Sequence, residues 1–198
     1  TKVVLTMSVA LTVGGAVIFR ITEDMPWIGA LFNSVTARTA GFSTYSLGEF
    51  SNAGLLAMIF LMFVGASPGS TGGGIKTSTL FALIQGIKTA ATNTSGKAFH
   101  YSVPHGVFRK ASVIAVMGIS VIAVGTFMLC AFEPDIAIRD ALFEMTSAFG
   151  TVGLTTGITT GLCTASKLTS IVMMYIGRLG PLTIATLWYF TNGDRIKY

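Results

Sequence analysis

The chain has 198 residues, 52% of them hydrophobic and only 11% charged, against about 25% charged in an ordinary soluble domain. This excludes a water-soluble enzyme or a nucleic-acid-binding module, because the net charge of +5 sits in a few connections rather than over a surface. Lipid is the solvent this composition matches.

The first predicted element is an apolar helix over Val3–Phe19, uncharged throughout. A helix needs roughly 20 such residues to cross a hydrocarbon core about 30 Å thick. Lys2 precedes it as in a signal peptide, but Arg20, Glu23 and Asp24 follow without a small-residue cleavage site, so the segment is expected to be retained as a span.

A short helix is expected over Pro26–Arg38, where an acid followed by proline marks the start. It is too short to cross and must return. After it comes TAGFST at 39–44. A second apolar segment runs from about Gly54 to Ile87, broken by GASPGSTGGGIKTST at 65–79. Pro68 removes a backbone donor, and Gly72, Gly73 and Gly74 each weaken a helix by about 0.8–1 kcal/mol relative to alanine. Lys76 facing lipid would add about 2.5–3.5 kcal/mol. Such a break is expected to line a wet cavity. A phosphate loop is excluded, since Ile75 shifts the lysine by one position and an apolar helix, not a strand, precedes it.

Lys88, Lys97, Arg109 and Lys110 crowd an acid-free connection, while seven of the acids fall within 20–50 and 133–145. By the positive-inside rule, Lys2, the 88–110 loop and the carboxyl end with Arg195 and Lys197 are expected in the cytoplasm, and the acidic segments outside. His100 and His105 read as solvated loop residues or part of a docking surface. Cys130 and Cys163 lack metal-ligand spacing and read as two buried thiols.

The same order then repeats. Ala111–Phe132 is an uncharged span, Pro134–Phe149 a short helix opened by Glu133 and proline, and 151–156 read TVGLTT. A last apolar stretch, Leu168–Phe190, contains only Arg178 as a charge. Two copies of Thr-x-Gly-apolar-(Ser/Thr)-Thr in one context form an internal repeat. Non-helical backbone at membrane depth must be buried or line water. A central glycine lets successive carbonyl oxygens aim one way, and the preceding helix directs its negative end to the same point. That combination suits a dehydrated cation. Arg38 would repel one, so it is expected to turn away from the axis, toward an outer carboxylate such as Glu49.

SVTARTAGF, FVGASPGSTGGGIKTST, SAFGTVGLTTG and YIGRLGP, in this order over nearly the whole chain, closely resemble the membrane subunits of Ktr potassium-uptake systems in the Trk/Ktr/HKT superfamily. The resemblance implies an all-α integral membrane protein with two repeats of transmembrane helix, re-entrant pore helix, filter loop and transmembrane helix. These two look like the third and fourth units of a pseudo-fourfold channel, at 1–91 and 111–198, joined by a cytoplasmic connection at 92–110. It implies gated potassium translocation across the cell membrane and no enzymatic activity. The filter oxygens would come from Thr39, Ala40, Gly41 and Phe42, and from Thr151, Val152, Gly153 and Leu154. An intramembrane gate at 66–76 would use Ser67, Gly69, Ser70, Thr71, Gly72, Gly73, Gly74 and Lys76, with Arg178 nearby. K+ would be the transported ion, Na+ a further candidate, and no nucleotide would bind this chain. Implied partners are the amino-terminal half of the same chain, a second membrane protomer, membrane lipid and a cytoplasmic ring of nucleotide-binding regulatory subunits. Two other functions remain open from the residues themselves: a secondary solute transporter with broken helices around a midplane site, and a non-conducting structural subunit.

Overall fold

A computed structural model describes residues 2–65, 67–70, 72–92, 97–98, 101–102 and 105–180. Ala66, Thr71, His100, Pro181 and the carboxyl-terminal Asp194, Arg195 and Lys197 lie outside them, as does the side chain of Thr39.

The described elements are α-helices and short helical turns, apart from one antiparallel pair of two-residue strands, β1 (Lys97–Ala98) and β2 (Tyr101–Ser102). Helix α1 (Lys2–Thr22) is followed by α2 (Trp27–Val35), a π-helical turn at Thr36–Ala40, a 3-10 turn at Leu47–Glu49 and α3 (Asn52–Phe63). Helix α4 (Thr77–Thr92) continues beyond the glycine-rich break. The order then recurs: α5 (His105–Phe132), α6 (Ile138–Gly150), a 3-10 turn at Ile158–Gly161 and α7 (Thr164–Leu179). Helices α1 and α5 are long and apolar enough to cross a bilayer.

Several boundaries differ from the sequence reading. Pro26 lies one position before α2, as its N-cap. Pro134 does not open α6: α5 runs on to Phe132, Pro134 and Asp135 form a turn in which the Ile136 amide donates to the Glu133 carbonyl, and the helix starts at Ile138. Helix α5 starts at His105, inside the stretch read as connection, because the exposed Arg109 and Lys110 are accommodated near its start without breaking helical geometry. The apolar stretch after Leu168 is not one continuous helix. It stops at Leu179, where Gly180 takes φ 84°, a left-handed value that glycine alone adopts freely. The cysteines are not both buried: Cys130 is half-buried and Cys163, capping α7, is exposed.

One apolar core joins the two halves. Phe19, Met25, Ala30, Leu55 and Met58 from the first half pack with Phe143, Val152 and Leu154 from the second. A second cluster gathers Leu129, Met145, Phe149 and Met173. Burial of a Phe, Met or Leu side chain is worth about 1.5–3 kcal/mol relative to water. The outward faces of α1, α5 and α7 instead expose Val9, Val13, Ile119, Phe127, Ile171 and Tyr175. A soluble monomer would not leave so large an apolar surface uncovered.

Each half is closed by a carboxylate at the end of its first long helix. Glu23 Oε1 accepts hydrogen bonds from the Ser51 amide at 3.1 Å and the Ser51 hydroxyl at 2.7 Å, while Ser51 Oγ caps α3 by accepting from the Gly54 amide. Glu133 Oε1 accepts from the Cys163 amide at 2.6 Å at the start of α7. Free amides at a helix start favour a negative charge there.

Candidate functional site

The short helices α2 and α6 are each followed by a glycine turn. After α2, the Gly41 amide donates to the Thr36 carbonyl at 3.2 Å, and Gly41 turns into the left-handed region at φ 74°. After α6, the Val152 amide donates to the Ser147 carbonyl at 3.0 Å, and Gly153 turns at φ 93°. These two turns meet. A methyl group on Gly41 would overlap the Val152 carbonyl oxygen and lie 3.6 Å from the Gly153 α-carbon. Thr39 and Ala40 precede this contact in the π-helical turn, and Thr151 and Leu154 flank Val152 and Gly153 in the chain on the other side.

Helix hydroxyls hold both segments. Thr36 Oγ1 donates to the Phe42 carbonyl at 2.6 Å and accepts from the Phe42 amide at 2.8 Å. Ser147 Oγ donates to the Leu154 carbonyl, also at 2.6 Å. The oxygens of Phe42 and Leu154 are thus already engaged within their own halves. Neither hydroxyl stood out in the sequence, although both lie one to two turns before a Thr-x-Gly. Glu144 was equally obscure among the outward acids. It is buried in α6, and its carboxylate accepts hydrogen bonds from Thr155, Thr156 and Thr159 just beyond the second turn. A carboxyl in the otherwise uncharged run ALFEMTSAFG was the signal that could have found it.

Arg38 does turn away from this meeting point, but not to Glu49. Its guanidinium donates to the Ser8 carbonyl at 3.2 Å and approaches Thr12 Oγ1 and Ser8 Oγ at 3.5 Å each. The π-helical turn carries Arg38 onto the side of α2 that packs against α1, and the α1 backbone is therefore its nearest acceptor.

The glycine-rich break lies under the carboxyl end of α6. Its base is closed by a parallel bridge between Val64 and Ile75, with the Ile75 amide donating to the Phe63 carbonyl at 3.0 Å. Gly69 and Gly74 take φ 82° and 72°. Gly73 touches α6 directly: a methyl there would lie 2.7 Å from the Phe149 carbonyl oxygen, and its amide donates to Thr151 Oγ1 at 2.8 Å. Lys76 Nζ folds back on the loop, 2.5 Å from the Gly72 carbonyl and 3.4 Å from that of Ser70. The Ser70 amide donates to the Ser67 carbonyl, closing the turn through Pro68 and Gly69. Thr71 lies outside the described residues.

Helix α7 completes the cluster. Gly177 packs against the Phe149 backbone so closely that any side chain would overlap its carbonyl. The Phe63 and Phe149 rings stack at 6.3 Å. Arg178, in the last turn of α7, is exposed on this chain and near enough for its charge to act on Lys76.

Residues 1–194 match the family model described as TrkH, cation transport protein. The chain is 35% identical to the Ktr system potassium uptake protein B of Vibrio alginolyticus, over all of this chain and 46% of that protein. It is 36% identical to the potassium/sodium uptake protein NtpJ of Enterococcus hirae, over 93% of this chain and 44% of that one. Its fold resembles the crystal structure of the potassium transporter TrkH from Vibrio parahaemolyticus, with a TM-score of 0.73 and 21% identity over 94% of this chain and 43% of that one. The chain spans less than half the length of the relatives it matches. With these motifs in order and nearly every residue matched, the chain belongs to the TrkH family of cation transport proteins.

Proposed function

We propose that this chain supplies half of a gated potassium pathway across the cell membrane, with the turns at Gly41 and Gly153 contributing two walls of a carbonyl-lined filter. The observation that carries this reading is the backbone contact between Gly41 and Val152. Two segments far apart in sequence meet through main chain rather than side chains, as oxygens replacing a hydration shell require. With Phe42 and Leu154 tied to hydroxyls, the ion-facing oxygens are those of Thr39, Ala40 and Gly41, and of Thr151, Val152 and Gly153. The carboxyl ends of α2 and α6 add partial negative charge at the same point.

The loop at 66–76 is the gate. Ser67, Gly69, Ser70, Thr71, Gly72, Gly73 and Gly74 form its body, and Lys76 and Arg178 raise a positive barrier beneath the filter. Residues 1–91 and 111–198 act as the third- and fourth-type units, joined by 92–110. The basic connection and the carboxyl end face the cytoplasm, where they dock a nucleotide-binding regulatory ring. The other two units come from the rest of the native chain, and a second protomer completes the membrane assembly. Na+ is a further transported ion, a reading supported by the potassium/sodium name of the Enterococcus relative.

Full-length protein in liposomes tests this. Rubidium or potassium flux that persists after proton and sodium gradients are collapsed is the expected result. Strict dependence on either gradient would instead identify a coupled transporter, and no flux at all would leave a non-conducting subunit.

A further inference from the structure

Residues 151–154 are held at three points. At the front, the Thr151 and Val152 amides continue the α6 hydrogen-bond ladder to Ala148 and Ser147, at 3.0 Å each. In the middle, Ser147 grips the Leu154 carbonyl. At the back stands Glu144, only 8% exposed. Its Oε1 accepts from the Thr155 hydroxyl and from the Thr156 amide at 3.2 Å, and its Oε2 from the Thr159 hydroxyl at 3.1 Å. Thr155 Oγ1 in turn lies 2.7 Å from Thr159 Oγ1 and accepts from the Gly157 amide at 2.9 Å. One carboxylate thus holds three residues, Thr155, Thr156 and Thr159, just beyond the second Thr-x-Gly turn.

The first turn has no such back anchor among the described residues. Glu144 stands three residues before Ser147, and the residue three before Thr36 is Asn33. Asn33 is fully buried at the same level of α2, but its Nδ2 donates to the Gly29 carbonyl of its own helix at 3.1 Å. Its Oδ1 has no hydrogen-bond partner among the described residues. The contrast is chemical. A carboxylate offers two oxygens and several lone pairs to converging donors, whereas an amide on a shorter stem spends half its polar groups as donors. Burying a carboxylate is unfavourable unless donors surround it, so Glu144 keeps its place only because the 155–159 segment folds onto it.

We propose that Glu144 is a positioning residue for ion discrimination, fixing the direction of the 151–153 carbonyls by locking the chain that follows them. It touches no ion. This rests on the filter reading above. The second filter segment is consequently the stiffer of the two, and the first is the more adaptable wall.

Glu144→Gln and Thr159→Val in full-length protein test it by two readouts. Hydrogen exchange reads the anchor without requiring conduction: amides within 151–157 should exchange at least about tenfold faster in Glu144→Gln, as loss of a charged hydrogen-bond acceptor implies, while 39–46 stay unchanged. In liposomes, the potassium-to-sodium permeability ratio should fall several-fold in Glu144→Gln and less in Thr159→Val, with the double variant no worse than Glu144→Gln alone. Unchanged exchange at 151–157, or an unchanged ratio in a variant that conducts at the parent rate, overturns the inference. An inactive parent protein with faster exchange in the variant would leave the anchor standing and remove the filter reading instead.

Discussion

Gly41 lies so close to the carbonyl oxygen of Val152 that a single methyl group on its α-carbon would overlap that oxygen. Gly153, its counterpart in the second half, has no neighbour at that position among the described residues, and its φ of 93° is what substitution there would strain. The two glycines therefore differ in what substitution costs. Gly153→Ala meets left-handed strain alone, about 1–2 kcal/mol. Gly41→Ala meets comparable strain and a collision with backbone that cannot step aside. Rubidium uptake should fall at least about tenfold further in Gly41→Ala than in Gly153→Ala, since each 1.4 kcal/mol is a factor of ten. Membrane insertion of both should match the parent. Equal uptake in the two variants would contradict the contact's role.

Gly73 tests the gate. Its α-carbon faces the Phe149 and Gly150 carbonyls, with Phe149 O 2.7 Å from a built methyl. Alanine there must lift the loop off α6 and break the Gly73 amide bond to Thr151. Basal flux without any activating partner should rise more than about tenfold, given about 1–3 kcal/mol for a lost buried hydrogen bond. Thr151→Val, which removes the acceptor without adding bulk to the loop, should move flux the same way by a smaller factor. A drop in flux in both variants would mean the loop supports the pathway rather than closing it.

Lys76 donates to the Gly72 and Ser70 carbonyls and carries its charge within reach of Arg178, which on the proposed reading holds the gate loop shut. Lys76→Met keeps the length and removes both effects. We expect basal conductance to rise about tenfold or more, charge-assisted bonds being worth about 1.5–3 kcal/mol. Arg178→Gln should raise it less, because only the electrostatic part is lost. Single-channel or flux recordings of the two variants and their combination give the coupling. An unchanged Lys76→Met would remove the lysine from the gate.

Much of this architecture was legible in the residues. Pro68 with Gly72–Gly74 located the break between α3 and α4, since proline and adjacent glycines are local penalties that packing rarely offsets. The two Thr-x-Gly turns were visible as a repeat, and their meeting is where the structure adds to the sequence. Long-range hydrogen bonds were not legible. Arg38 reaches α1 rather than Glu49, and the burial of Glu144 was not readable, because charge position in sequence says nothing of which helix face a residue occupies. Proline after an acid also misled at Pro134: the Glu133 carbonyl closes a turn there, and Glu133 itself is committed to α7.

That commitment has a pH signature. The Cys163 amide, then the Cys163 and Ser166 side chains and the nearby Lys167 charge, hold the Glu133 carboxyl below the usual carboxylate range. A depressed value stabilises the fold above the unfolded carboxyl's pKa of about 4.3, and that contribution is lost as pH falls through the lower folded value. The melting-temperature difference between the parent and Glu133→Gln should stay constant from about pH 8 to about pH 5 and shrink below about pH 4. A difference that persists at the acid end would show that the carboxylate's charge is not what caps α7.

The central claim is tested most directly by locating a heavy potassium congener, rubidium or thallium, in the full-length protein by anomalous diffraction. The account predicts a site on an axis bounded by the main-chain oxygens of 39–41 and 151–153, lost on Gly41→Ala. Ions bound only elsewhere, or carbonyls of both turns directed into the protein with the parent fully active, would contradict it.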